Sequence, residues 1–229
     1  MRTYIFFISL FFFYSTNYAQ EKSKADSIKK HRYGLRVGID LSKLAKTAFI
    51  KDYTGFEVTA DYKFSKRYYL AGTLGNENRT FDETQVNYTT KGSYFTAGVE
   101  YNAYENWLDM ENAIYAGLRY GVSSFSHTLN NYNVLNADTY WNEITLQENV
   151  QEFDTNTAHW LELIVGIKAE VFNNLYLGAH VQLKNIIVNN EPDSFANLYV
   201  PGFGRTYQDS TWGVGFGYTI SYFIPFYKK

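Results

Sequence analysis

The sequence predicts an all-β fold in which eight antiparallel strands form an up-and-down barrel, and three observations lead to this prediction. Apolar and polar residues alternate with a period of two in eight separate runs, which is the period of a β-strand. The chain of 229 residues is rich in strand-forming aromatics, with 22 Tyr and 18 Phe, and has only 3 Pro. The connections between the runs alternate between short and long, as they do in an up-and-down barrel.

The pair of runs at 160–171 and 175–184 gives the clearest pattern. Asn173 and Asn174 join them, and Asn tolerates the positive φ angles of a tight two-residue turn, so the pair predicts a β-hairpin. The other six runs lie at 33–42, 56–64, 68–75, 95–102, 114–123 and 212–222.

The lengths of the connections predict which end of the barrel carries the loops. Short turns are expected at 65–67, 104–112 and 173–174, and long polar loops at 43–54, 76–93, 124–158 and 188–210. Short turns at one end and long loops at the other are typical of a transmembrane barrel with periplasmic turns and outer loops. An even number of strands places both termini at the short-turn end.

Alternation alone does not decide whether the apolar face contacts lipid or a soluble core, and a soluble barrel with an apolar interior is the alternative. Three features favour an apolar face that lies on the outside of the barrel and contacts lipid. The polar face carries nearly all strand glycines, its acids and bases nearly balance, and aromatics gather near the strand ends as interfacial girdles do. The expected girdle residues are Phe64, Tyr68, Tyr69, Tyr94, Trp160, Trp212, Tyr222, Phe223 and Phe226.

The polar face therefore predicts a structural charge network inside an eight-stranded transmembrane barrel, an interior just wide enough for side chains to fill. We expect Arg36 and Arg119 to lie centrally among Glu57, Glu100 and Glu162. The full predicted set is Arg36, Asp40, Glu57, Asp61, Lys63, Glu100, Arg119, Glu162, Lys168, Glu170, His180 and Lys184.

The N-terminus reads as a targeting segment. Residues 1–19 combine Arg2, an apolar stretch and a small-residue processing region, which predicts a signal peptide, with an uncleaved membrane anchor as the alternative. Residues 20–32 form a polar leader, and 33–229 form the barrel. Removal of the signal takes away one base and no acid, so the formal charge changes from −2 to −3.

The composition excludes several classes of protein and several kinds of chemical site. The mean hydropathy is slightly negative, which excludes a polytopic helical membrane protein. There is no Cys, so disulfides, thiol nucleophiles, cysteine metal clusters and a lipoprotein anchor are excluded. The charge gives no argument for a nucleic-acid partner, and the sequence predicts neither a cofactor nor a metal site.

The last strand, WGVGFGYTISYFIPF at 212–226, together with the eight runs and the signal segment, resembles small outer-membrane β-barrels of the OmpX and OmpA-transmembrane-domain type. More closely, the chain resembles an uncharacterised family of such barrels in Gram-negative bacteria. The resemblance implies outer-membrane lipid as surroundings, periplasmic termini and assembly by the barrel-insertion machinery, which reads an aromatic last strand. Tyr227, Lys228 and Lys229 follow Phe226, a departure from a strictly terminal aromatic residue.

The predicted function is that of a non-enzymatic barrel with a structural or surface-interaction role. One alternative is an accessory barrel of a secretion or envelope-assembly system. The other, from a different class, is a lipid A-modifying enzyme that uses His127 or His159 with Ser124 or Ser126 at the outer rim. Continued alternation places His127 inward and His159 outward, which argues against a shared site.

The loop at 130–153 mixes aromatics with amides and acids, which is a common composition for a binding surface. Tyr132, Tyr140, Trp141 and Phe153 are the candidate contacts for an unidentified surface ligand or envelope protein. Packing of these side chains on the barrel mouth is the alternative.

Overall fold

The computed structural model describes residues 32–104, 111–136, 143–147, 150–191, 196–207 and 209–228. The predicted signal peptide and nearly all of the leader lie outside them. The elements are β1 (Arg32–Asp40), α1 (Leu41–Phe49), β2 (Tyr53–Lys63), β3 (Tyr68–Asp82), β4 (Val86–Asn102), β5 (Ala113–Asn136), β6 (Glu143–Gln147), β7 (Gln151–Phe172), β8 (Leu175–Asn189), β9 (Tyr199–Val200), β10 (Gly204–Arg205) and β11 (Trp212–Lys228).

Eight strands close into an antiparallel barrel, which confirms the predicted fold class. Their order is β4-β3-β2-β1-β11-β8-β7-β5, and pairing of β4 with β5 closes the ring. Each strand pairs with its sequence neighbours in the barrel, and β1 pairs with β11. Among the described residues, the short β6 pairs with the far end of β5 alone, and β9 with β10 forms a separate two-stranded ribbon.

The apolar face of the strands points outward. On β7, Leu163 and Val165 are about half exposed, whereas the inward Glu162 is 1% exposed. β11 has the same pattern, with Phe216 and Tyr218 exposed and Thr219 and Ser221 buried. A soluble barrel with an apolar interior would show the opposite arrangement, so that alternative is wrong.

Toward the long-loop end, the chemistry of the two faces reverses. Outward positions change from Leu74 to Asn76 on β3 and from Phe95 to Ser93 on β4. Inward positions at this level become apolar and form two buried clusters. The clusters are Tyr94, Phe125, Ala158, Trp160, Val200 and Phe203, and Phe81, Tyr88, Leu129 and Tyr199.

The prediction of long loops at 76–93 and 124–158 is therefore wrong, because strands occupy most of both segments. The outward Asn, Ser and Thr residues give these strands the composition of loops, although the alternation continues. We call the strand segments 76–82, 86–93, 124–136 and 151–158 the outer wall.

The other two predicted loops also contain secondary structure. Helix α1 begins at Leu41, within the run predicted as the first strand, and extends to Phe49 in the segment 43–54. The Asp40 carboxylate caps it by accepting from the backbone N–H of Ser42 at 2.6 Å and of Lys43 at 3.3 Å. The segment 188–210 contains β9 and β10, and the buried Val200 and Phe203 belong to the first apolar cluster. None of the helices that the structure describes is long and apolar enough to cross a membrane.

The aromatics expected in the girdle divide into an exposed and a buried group. Phe64, Tyr68, Trp212, Tyr222 and Phe226 are exposed on the outer face. The prediction is wrong for Tyr69, Tyr94, Trp160 and Phe223, which are at most 3% exposed. Their sequence positions share the alternation of the inward residues, so they fill the interior instead of meeting lipid headgroups.

The outward face of β5 offers a matched test of where the apolar surface ends. Leu118→Arg places a charge in the apolar band and should cost about 2–4 kcal/mol of unfolding free energy. Ser124→Arg, on the same face but within the outer wall, should change it by less than about 0.5 kcal/mol. Urea unfolding of the barrel in lipid vesicles measures both, and equal costs would place the boundary elsewhere.

Candidate functional site

Six charged side chains inside the barrel form a chain of alternating sign, here called the ion chain: Arg36, Asp61, Lys168, Glu100, Arg119 and Glu162. Lys168 is its centre, since its Nζ lies 2.8 Å from Asp61 Oδ2 and 2.8 Å from Glu100 Oε2. Arg119 contacts Glu100 and lies 3.6 Å from Glu162. The indole N–H of Trp160 donates to Glu162 at 3.1 Å.

Arg36 is the most enclosed cation of the chain, at 1% exposure. Its nearest carboxylate is Asp61 at 3.6 Å, and its guanidinium lies 4.3 Å from the ring centre of Tyr176. Tyr69 and Phe223 flank it at 5.9 Å. The aromatic faces attract the cation and supplement a single, rather long ion pair.

The position of Glu57 differs from the expected central arrangement. Its carboxylate accepts from the Tyr94 hydroxyl, and within the described part of the chain it forms no ion pair with Arg36 or Arg119. Asp40 caps α1, and Lys184 donates to the Gly202 carbonyl at 2.6 Å. His180 and Asp40 both lie against Gly217, where an added Cβ would collide with the Asp40 carboxylate and with the imidazole.

A second group of charges closes the short-turn end. Arg32 lies 3.0 Å from Glu170, and Lys63 lies 3.5 Å from Glu111. Glu170 also accepts from the backbone N–H of Asn174 at 3.0 Å, which ties the β7–β8 turn to β1. Glu111 and Arg32 are additions to the predicted set. Arg32 is the first residue of β1, and Glu111 lies in the connection before β5, where alternation gave no guidance.

Glu77 is the centre of a third group, at the start of the outer wall. It is 1% exposed, pairs with Lys43 and accepts from the hydroxyls of Tyr53 at 3.1 Å and Tyr199 at 2.6 Å. Burial alone raises the pKa of Glu77, but the Lys43 ammonium and these hydrogen-bond donors outweigh it and hold the pKa at about 2.

Sequence reasoning missed this group because Glu77 and Lys43 lie in segments predicted as loops. The signal was present on β3, since Tyr69, Ala71, Thr73 and Glu77 share one parity and all face inward.

The two histidines that could serve an enzyme do not meet. His127 is buried, and its Nε2–H donates to Asn197 Oδ1 at 3.1 Å while Nδ1 accepts from the Thr90 hydroxyl at 2.7 Å. Burial lowers the pKa of His127 to about 4, against the opposing hydrogen bond with Asn197. His159 lies on the outer face, where its Nδ1 is 2.9 Å from the Tyr120 hydroxyl.

Of the predicted loop contacts, Tyr132 and Phe153 are partly buried and pack against the cluster of Phe81, Tyr88, Leu129 and Tyr199. Tyr140 and Trp141 lie outside the described residues. The described residues contain no cluster of three His, Asp or Glu side chains with the geometry to hold a metal ion.

The closed eight-stranded ring, its apolar outer face and its polar inner face define a small transmembrane β-barrel of the outer-membrane type. The chain belongs to the DUF6048 family, described as a domain of unknown function, whose model matches residues 1–229. No curated protein matches the sequence.

Two solved structures of Ail, the attachment invasion locus protein of Yersinia pestis, are similar to the chain. The first is 12% identical with a TM-score of 0.40, and the match covers 84% of this chain and 97% of Ail. The second, in complex with the heparin analogue sucrose octasulfate, is 11% identical with a TM-score of 0.39 and covers 86% and 99%.

The ion chain makes a specific prediction for Arg119. Arg119→Leu leaves Glu100 and Glu162 without their shared cation and should lower the unfolding free energy by about 3–5 kcal/mol. Lys91→Leu removes a cation from the exposed face of the outer wall and should change it by less than about 0.5 kcal/mol. Urea unfolding in vesicles measures both, and a stable Arg119→Leu barrel would contradict a structural role for the chain.

Proposed function

We propose that this protein is a non-enzymatic barrel of the Gram-negative outer membrane that makes contacts at the cell surface through its outer wall. After removal of residues 1–19, both termini lie in the periplasm and the outer wall lies outside the cell. The observation that carries the proposal is the reversal of face chemistry between the apolar band and the outer wall.

The reversal supports a rigid surface-exposed structure. In the apolar band, lipid covers the outward Leu and Phe residues, whereas water must cover the outward Asn78, Lys91 and Ser126 of the outer wall. A wall surrounded by water needs its own apolar core, and the two aromatic clusters supply it. The wall thus presents ordered strands to the surroundings in place of long loops.

The interior supports a barrel that passes no ions. The ion chain joins strands on opposite sides of the barrel, and eight strands leave an interior that side chains fill. We infer that these charges are a structural core and do not form a conduction path.

A planar bilayer tests the filled interior directly. The purified barrel should produce no stepwise ionic current under conditions in which a general porin, inserted into the same bilayer as the positive control, conducts. Reproducible conductance steps from the heat-modifiable, folded barrel would show an open path and overturn this part of the proposal.

Photo-cross-linking in cells tests the surface role. A photoreactive residue at Asn78 or Lys91, on the outer wall, should give one dominant protein adduct, because these side chains face away from the barrel in water. The same residue at Leu118, in the apolar band, is the matched control and should not give that adduct.

The cross-linking also separates the alternatives. An adduct with a component of a secretion or envelope-assembly system would identify an accessory barrel. The absence of any protein adduct from the wall positions, in cells that fold the barrel normally, would contradict a surface-interaction role. The enzyme alternative gains no support from the geometry, since His127 faces inward and His159 outward.

A further inference from the structure

One sector of the barrel wall has no strand. β1 ends at Asp40, which pairs with Thr219, while β11 continues for seven more residues to Trp212. The segment Trp212–Tyr218 pairs with β8 on one side and has no β1 partner on the other. Likewise, the first residues of β2, Tyr53–Glu57, pair with β3 alone.

Helix α1 occupies this gap with its polar face inward. Ser42 is buried, Lys43 reaches Glu77, and Thr47 packs on β2. Leu41, Leu44 and Phe49 are exposed, and Phe49 is 88% exposed. A helix on a soluble core would turn its apolar side inward, so this orientation continues the lipid-facing surface of the strands.

The two edges of the gap are closed unequally. On the β2 side, the Thr47 hydroxyl accepts from the Gly55 N–H at 2.8 Å and lies 3.1 Å from the Gly55 carbonyl. On the β11 side, the Lys46 ammonium lies 5.2 Å from the ring centre of Phe216, and no hydrogen bond joins α1 to Trp212–Tyr218 within the described residues. We call this second edge the α1 seam.

A cavity of about 150 Å³ lies at the α1 seam. Its lining includes polar interior groups such as Gln182 and Lys184 and also Val214 and Phe216, whose side chains face outward. Gly215 leaves room for the polar side chains of this lining, because an added Cβ would lie 2.6 Å from Gln182 Oε1 and 3.0 Å from Lys184 Nζ. The cavity therefore reaches from the polar interior to the lipid-facing edge of β11.

The cavity lining carries one more cation than anion. Five Lys or Arg side chains line it, namely Lys43, Lys46, Arg79, Lys184 and Arg205, against the four carboxylates of Asp40, Glu57, Glu77 and Glu162. Glu77 pairs with Lys43, while the adjacent Lys46 and Arg79 contact aromatic rings. Neither Lys46 nor Arg79 forms an ion pair with a described residue. Partly desolvated cations without a carboxylate partner favour binding of an anion, and phosphate oxygens form strong charge-assisted hydrogen bonds with them.

We propose that the α1 seam binds the anionic phosphomonoester headgroup of an outer-leaflet lipid, with Lys46 and Arg79 as its ligands. The acyl chains would lie against Phe216 and Leu44, which belong to the outer apolar surface. This apolar border and the sideways opening favour a lipid over a free anion. The inference rests on the proposed outer-membrane location but is independent of the surface contacts of the outer wall.

Native mass spectrometry of the barrel released from micelles tests the site. Dioleoyl phosphatidic acid should remain bound in preference to dioleoyl phosphatidylcholine. Lys46→Gln should weaken retention of phosphatidic acid about tenfold, as expected for loss of one charge-assisted contact, and Arg79→Gln should act in the same direction. Lys91→Gln, which removes a cation from the outer wall, is the matched control and should leave retention unchanged.

The following outcomes would overturn the assignment of a lipid headgroup site to the α1 seam. Equal retention of the two lipids, or equal loss in Lys46→Gln and Lys91→Gln, would mean that the α1 seam does not recognise the headgroup. Displacement of phosphatidic acid by an equal concentration of inorganic phosphate would reveal a free-anion site. The heat-dependent gel shift of each variant verifies that it remains a closed barrel, and the photo-cross-linking at Asn78 reports separately on the surface role.

Discussion

Compensation of charge inside a narrow ring is the constraint on which the rest of this barrel depends. The ion chain joins residues of β1, β2, β4, β5 and β7, so strands that are not neighbours in the sheet are held to one another across the interior. Surrounded by lipid, these charges have each other as partners, and removal of one cation leaves its acids buried and uncompensated. A side chain has no room beside them at Gly98, where an added Cβ would collide with the Leu118 carbonyl and with Arg119.

The same strands carry different residues on their two faces in the apolar band and in the outer wall. Within the apolar band, lipid covers Leu and Phe outside while charges fill the inside. Within the outer wall, Asn and Ser face outward and the aromatic clusters fill the inside. Glu77 lies at this transition, with Lys43 on one side and the hydroxyls of Tyr53 and Tyr199 on the other, so it joins the polar interior to the apolar core above it. A surface role needs this second core, because strands without it would not stay ordered in water.

Beyond the end of β1 at Asp40, the barrel has a gap between β2 and β11 that a helix fills in place of a strand. A strand would seal the wall with backbone hydrogen bonds, whereas α1 satisfies its own backbone and contacts the edges only through side chains such as Thr47 and Lys46. Attachment is firm at β2 and weaker at β11, and the cavity lies on the weaker side. The cations there face an opening toward lipid, which is the physical basis for a headgroup site that differs from the contacts proposed for the outer wall.

The sequence by itself determined the eight strands and which residues share a face, because a period of two depends only on neighbouring positions along the chain. The alternation of short and long connections predicted their up-and-down order. Of the twelve residues expected on the inner face, ten are buried, and Lys168 and Glu170 are partly buried. The sequence did not reveal where the faces exchange chemistry, so Trp160 and Tyr94 were expected in the girdle and Glu77 was missed. Only the closed ring decided that Lys168 lies between Asp61 and Glu100, that Glu57 meets Tyr94, and that a helix completes the wall. These contacts join residues far apart in the chain, and they depend on the relative shift of paired strands around the barrel, which no local pattern specifies.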